Sequence, residues 1–244
     1  MRSDYTGFLS NESLERGTIS EMENYLKCTE IIDCDADSVR EKALEVTRGL
    51  KRDKEKAIAL FYFVRDKIRH NAYTPLYDSN RYKASSTLKA GDGMCQNKAI
   101  LLVALARAVG IPARLGLVDV EDHQLSESFK QMIGGVNTMP LHGFAELYID
   151  GRWVHASPAY DLATCQKKGF IPVEFDGVND AKDSEYTKAG QPHMKHIKYH
   201  GPYEDLPLDE IYSYYREWIT KLGMEWGDFK GASEEIRKRK SRNK

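Results

Sequence analysis

The chain of 244 residues is 41% hydrophobic and 30% charged, a balance that excludes disordered and fibrous classes and allows a core without covalent staples. Its formal net charge of -1 selects no nucleic-acid or membrane partner. No apolar run approaches the ~18 residues that crossing a bilayer requires, and the polar start from Met1 to Gly17 lacks the apolar centre of a secretion signal.

In chain order, residues 1–36 read as an irregular extension, and the first clear helix begins where Ser38 and Glu41 fit a capping box. Val39, Ala43, Val46 and Leu50 form its apolar stripe. Asp53 predicts the start of a second helix, with Ala57, Leu60, Phe61, Val64 and Ile68 on one face. A short helical turn over Ser85 to Lys89 stops at Gly91. A third long helix runs from about Met94 to Val109, ended by Gly110-Ile111-Pro112. Ala113 to Val120 reads as a strand, and Glu121 to Pro140, with Gly134-Gly135, as a long surface loop. His142 to Ile149, the turn Asp150-Gly151 and Arg152 to Ser157 give a β-hairpin. Residues 162–207 resist assignment, after which Ile211, Tyr215, Trp218, Leu222 and Trp226 stripe a terminal helix.

The absence of repeats and low-complexity linkers predicts one catalytic domain over residues 37–227, flanked by the extension and by a tail over 228–244. The last fifteen residues carry seven basic and two acidic side chains and read as a solvated terminus. Cys28, Cys34, Cys95 and Cys165 form no Cys-x-x-Cys pair and have no histidine at ligand spacing, so no metal is expected. Reduced thiols and a cytoplasmic location are the corresponding expectations. Asp176, Asp180, Asp183 and Glu185 miss the calcium-loop spacing and read as a solvated acidic loop; His193, His196 and His200 lack further identifiable ligands.

Cys95 is the candidate nucleophile. It begins a helix behind Gly91 and Gly93, where free amides and the helix dipole favour a thiolate and the Cys95 amide can serve an oxyanion. His142, at a strand start, is the candidate base: an imidazole facing that thiol takes its proton and returns it to the leaving group. If Asp150-Gly151 is a two-residue turn, Ile149 opposes Arg152, and Phe144 and His142 oppose Ser157 and Ala159. That register also sets Glu146 against His155, as a structural ion pair. A third group must hold the imidazole; Asp161, beyond the turn at Pro158, is preferred to the uncharged Ser157, with helix or turn capping as the alternative for Asp161.

The run from Ala90-Gly91-Asp92-Gly93-Met94-Cys95-Gln96-Asn97-Lys98-Ala99 to Arg107-Ala108-Val109-Gly110-Ile111-Pro112-Ala113-Arg114 resembles the nucleophile helix of the transglutaminase-like superfamily. The run from His142-Gly143-Phe144-Ala145-Glu146 to Asp150-Gly151-Arg152-Trp153-Val154 resembles its histidine strand and hairpin. Over residues 37–161 the resemblance implies an α+β, papain-like core in which a cysteine helix packs on an antiparallel sheet. It implies a Cys-His-Asp triad acting on a peptide or protein amide without cofactor, the acyl group passing to water or, in a transamidase, to an amine. Where the superfamily commonly has Asp-Pro after the hairpin, this chain has Ser157-Pro158, for which Asp161 is the expected substitute. Gln96 is a candidate for substrate binding. Other readings are a non-catalytic peptide-binding module and acyl transfer from a small molecule, the latter requiring a deep pocket.

Overall fold

The computed structural model describes residues 19–75 and 77–225, together with 227 and 234. The expected tail and the stripe residue Trp226 therefore fall largely or wholly outside the described residues, as does the first half of the expected extension, residues 1–18.

Within that extension Ile19–Asn24 (α1) is helical. Helices follow at Asp37–Val46 (α2) and Asp53–Lys67 (α3), each starting beside an N-cap, Ala36 or Arg52, that differs from the expected capping residue. At α2 no side chain caps the helix, so the predicted Ser38 box is absent. The short helix Ala84–Ala90 (α4) ends at Gly91, whose φ of 66° is the left-handed geometry that glycine adopts without a Cβ penalty. The long helix Cys95–Ala108 (α5) is buried along almost its whole length. All-round burial explains why its apolar residues are not confined to a single stripe.

The sheet is antiparallel, in the order β5-β4-β3-β6, with β3 Ala113–Asp122, β4 Thr138–Ile149, β5 Arg152–Ala156 and β6 Met194–Tyr203. The predicted hairpin is present: Ile149 opposes Arg152, and Asp150 and Gly151 both have positive φ, as a type I′ turn requires. The ladder ends at Ala145 opposite Ala156, short of the expected Phe144–Ser157 and His142–Ala159 pairs. Ser157 donates its amide to the Ala181 carbonyl instead.

The expected loop before β4 contains a short helix, Glu127–Met132 (α6), capped by Ser126. In the unassigned stretch lie Leu162–Lys168 (α7) and β6. The terminal helix is Leu208–Lys221 (α8), burying Ile211, Tyr215 and Ile219. Helix α5 packs between α2, α3 and α4 on one side and β3 and β4 on the other, so the α+β core is built around the helix that Cys95 begins.

Cysteine chemistry departs from expectation at one place. Cys28 and Cys34 form a disulfide, whereas Cys95 and Cys165 are free. The loop it closes is integrated with the fold: Ile31 and Ile32 are buried, and the Ile31 carbonyl accepts from the Ala84 amide. Asp33 accepts from the Ser85 amide and hydroxyl.

Candidate active site

Two short contacts fix the start of α5. Arg69–His70 (β1) and Asp92–Gly93 (β2) pair in parallel, holding the chain just before Cys95 against the end of α3. Asn97 then reaches back, accepting from the Met94 amide at 3.0 Å and donating to the Arg81 carbonyl at 2.7 Å. The helix start is thereby held while the first-turn amides remain near the thiol.

Strand β4 comes unusually close to this turn. A Cβ added at Gly143 would stand 2.6 Å from Gln96 Cα, so only glycine permits the approach. Two residues earlier, Leu141 has φ of 58°, a left-handed conformation that costs a branched side chain roughly 1 kcal/mol or more. It is held from both sides: its amide donates to Asp119 Oδ1 at 3.1 Å, and its carbonyl accepts from Gln96 Nε2 at 2.6 Å. His142, between these two residues, therefore faces Cys95. The two are only 6% and 8% exposed.

Burial pushes the Cys95 thiol up, but the charge and hydrogen bond of His142, with the Gly143 and Gln96 amides, outweigh it and hold it below its ordinary value. Burial likewise opposes an imidazolium at His142; Cys95 and Asp183 reverse the sign and raise it well above its ordinary value. Both directions favour a thiolate–imidazolium pair.

The carboxylate at the ring is Asp183. His142 Nε2 lies 3.3 Å from Asp183 Oδ2, and the Ser157 hydroxyl donates to that same oxygen. Although burial alone would raise the Asp183 carboxyl, His142 and Ser157 hold it down at about 2. It comes from the stretch read as a solvated acidic loop, yet it is 7% exposed. The cause is tertiary: Ala181 bridges in parallel to Ala156 at the end of β5, carrying Asp183 alongside Ser157.

Asp161, expected to orient the ring, does something else. Its side chain caps α7 by accepting from the Thr164 amide and hydroxyl, both at 2.9 Å, and it also accepts from the His70 amide at 2.8 Å. With those bonds made, its oxygens are committed to α7 and β1 rather than to His142, and the capping alternative describes it. Ser157 touches the imidazole's partner. Gln96 is buried and turned inward, donating to Leu141 and to the Tyr215 hydroxyl at 2.8 Å. Because a carbonyl only accepts, the amide nitrogen must be the atom at Leu141, which fixes the orientation of Gln96.

The expected Glu146–His155 ion pair is replaced. The two are in register, but Glu146 accepts from Arg114 Nε at 2.6 Å, and His155 stacks on Phe144 at 3.9 Å. Burial lowers His155 to about 3, so it is a neutral ring at ordinary pH. The three C-terminal histidines are also dispersed: His193 stacks on Phe170, His196 meets the Tyr199 hydroxyl, and His200 lies 3.1 Å from Asp119.

Cys95 and His142 open onto a cavity of ≈ 70 Å³ shared with Tyr215 of α8, Met94, Leu141 and Tyr160. No helix among the described residues is long and apolar enough to cross a membrane.

No curated protein matches the chain. Among solved structures it is similar to a proposed cysteine protease from Cytophaga hutchinsonii, with 16% identity and a TM-score of 0.46 over 78% of this chain and 56% of that one. It is also similar to a proposed protease from Parabacteroides distasonis, with 16% identity and a TM-score of 0.36 over 57% of this chain and 25% of that one. The chain thus spans about half, or less, of the length of these proteins. The model of the transglutaminase-like superfamily matches residues 40–158, from α2 through the cysteine helix to the end of the histidine hairpin. The core that carries Cys95 and His142 is thus similar to the transglutaminase-like superfamily.

Proposed function

We propose that the protein is a cysteine-dependent amide hydrolase, with Cys95 as nucleophile, His142 as acid and base, and Asp183, in place of Asp161, as the residue that orients the imidazole. The observation that carries this reading is one buried line of groups: the Cys95 thiol shares a cavity with His142, whose Nε2 lies 3.3 Å from Asp183. With Nε2 at the carboxylate, Nδ1 is left to exchange the proton with sulfur.

In the proposed reaction Sγ bonds to the amide carbon while the carbonyl π pair moves onto oxygen. The tetrahedral species then collapses, the C–N bond breaks, and the amine leaves with the proton held on His142. Water, deprotonated by His142, attacks the thioester and returns the thiol. Two donors suit the oxyanion. One is the Cys95 amide at the helix start; the other is the Tyr215 hydroxyl. Tyr215 accepts from Gln96 Nε2, and its own proton has no acceptor among the described residues. It lines the same cavity as Cys95.

The test is mass spectrometry of Cys95 after incubation with an activated acyl donor, with and without a primary amine. An acyl adduct on Cys95 that is absent in Cys95→Ala and slow to form in His142→Ala is expected. Faster release by the amine than by water would convert the reading to transamidation. A thiol with an ordinary pKa and no adduct would leave a peptide-binding module.

A further inference from the structure

Beside the thiol cavity lies a larger groove of ≈ 860 Å³, and the two share His70, Ala72, Ser126 and Lys168 as walls. That volume falls in the usual range for ligand sites, whereas the ≈ 70 Å³ around the sulfur has room only for the reacting group. Among the described residues the charged lining of the groove is one-sided: Arg69, Arg81, Lys167 and Lys168 against the single acid Asp92. Asp92 is already shared by two guanidiniums, Arg69 at 3.0 Å and Arg81 at 3.3 Å. Positive charge is therefore in excess there, in a chain whose overall formal charge is -1. The Arg69 side chain remains 56% exposed and within reach of a bound molecule.

The groove's position ties it to the chemistry. Arg69 and His70 form β1, paired with Asp92 and Gly93 immediately before Met94 and Cys95. Lys167 and Lys168 close α7, whose first turn is anchored to β1 through Asp161. Two cationic elements thus line the groove that adjoins the cavity of the sulfur. A carboxylate in such a groove gains from Arg geometry and from the field of the neighbouring lysines.

We propose that this groove selects substrates carrying an acidic peptide segment, whose carboxylates pair with Arg69 and Lys167 while the amide to be cleaved reaches Cys95. The proposal deepens the hydrolase reading and rests on it for the position of the scissile bond, but the binding itself does not depend on turnover.

The closing experiment therefore measures binding and labelling separately. Fluorescent peptides of one sequence, flanked by Asp and Glu, by Asn and Gln, or by Lys, are titrated onto Cys95→Ala protein by anisotropy at low and high salt. The acidic peptide should bind about tenfold more tightly than its neutral isostere, an advantage that shrinks as salt screens the groove. Lys167→Glu should remove most of that advantage and Arg69→Glu should do the same; Lys51→Glu, the same charge change away from the groove, should not. Should Arg69→Glu fail to fold, Lys167→Glu carries the test alone. Equal binding of acidic and neutral peptides, persistence of the preference in Lys167→Glu, or stronger competition by a short oligonucleotide than by the acidic peptide would overturn it. Peptide-aldehyde labelling of the wild-type sulfur then judges the hydrolase reading separately: acid-selective binding without labelling would leave the groove standing and remove the enzyme.

Discussion

Asp183 stands 3.3 Å from the His142 imidazole although it lies outside residues 40–158, the stretch that matches the superfamily. The ring's partner thus arrives from a loop beyond the hairpin, and the position after the hairpin, Ser157, donates to that partner instead of supplying it.

Exchange tests at the two aspartates should separate them. In Asp183→Asn the imidazole loses its charged partner, and acylation of Cys95 should fall by roughly 10²-fold to 10⁴-fold. In Asp161→Ala the helix cap is lost, which should lower stability by about 1 kcal/mol while acylation changes little. Single-turnover acylation and thermal melts of both variants give the answer; a larger rate loss in Asp161→Ala than in Asp183→Asn would reverse the assignment.

Alkylation of Cys95 by iodoacetamide should depend on pH as a depressed thiol does. Its inflection should lie below the value of about 8.5 for a free cysteine, and His142→Ala should move it upward by removing the facing charge. An identical inflection in both proteins would contradict a coupled pair.

Acid stability offers an independent reading of Asp183. Its folded pKa, held down at about 2, is below the unfolded value of about 3.9. A depressed carboxyl contributes stability above its unfolded pKa and loses it as pH falls through the folded one. The stability difference between wild type and Asp183→Asn should therefore be present near pH 5 and vanish between about pH 4 and 2, as followed by urea unfolding at stepped pH. A difference that stays constant through this window would argue against it.

Tyr215→Phe removes one hydroxyl and little volume. Affinity for a peptide aldehyde, whose adduct with sulfur develops an oxyanion, should drop by roughly tenfold or more, as measured by inhibition of iodoacetamide labelling. Labelling by iodoacetamide alone, which forms no oxyanion, should keep its rate. Parallel losses in both would mark Tyr215 as a packing residue.

At Gly143 one methyl group is decisive. Gly143→Ala would need to displace the Gln96 backbone, so the thiol inflection should return toward that of a free cysteine even if the protein remains folded by circular dichroism. A retained low inflection would mean that the two backbones can part without separating the groups they carry.

The sequence was informative wherever structure is local. Helix α5 lies within a residue of each expected end because Gly110-Ile111-Pro112 closes it, and Asp150-Gly151 sets the hairpin register directly. Cys95 and His142, far apart in the chain, are joined by the Gly143 approach that those elements create. The carboxylate was not legible, for a physical reason: Asp183 has no periodic neighbours, and only the bridge from Ala181 to Ala156 brings it inward. Asp161 misled in the opposite way, since an aspartate after Pro158 satisfies a cap as well as a catalytic role. Tyr215 is legible from the sequence only as part of the terminal helix's stripe, and the stripe says nothing about where the hydroxyl ends.

The disulfide between Cys28 and Cys34 has a practical corollary for chemical proteomics. Those two sulfurs are withdrawn from electrophiles, and burial with nearby carboxylates pushes the Cys165 thiol up to about 11, leaving it protonated near neutrality. Cys95 is then the one free sulfur whose pKa is held below its ordinary value, so the oxidised protein carries an intrinsic single-point reporter of its own reactive centre.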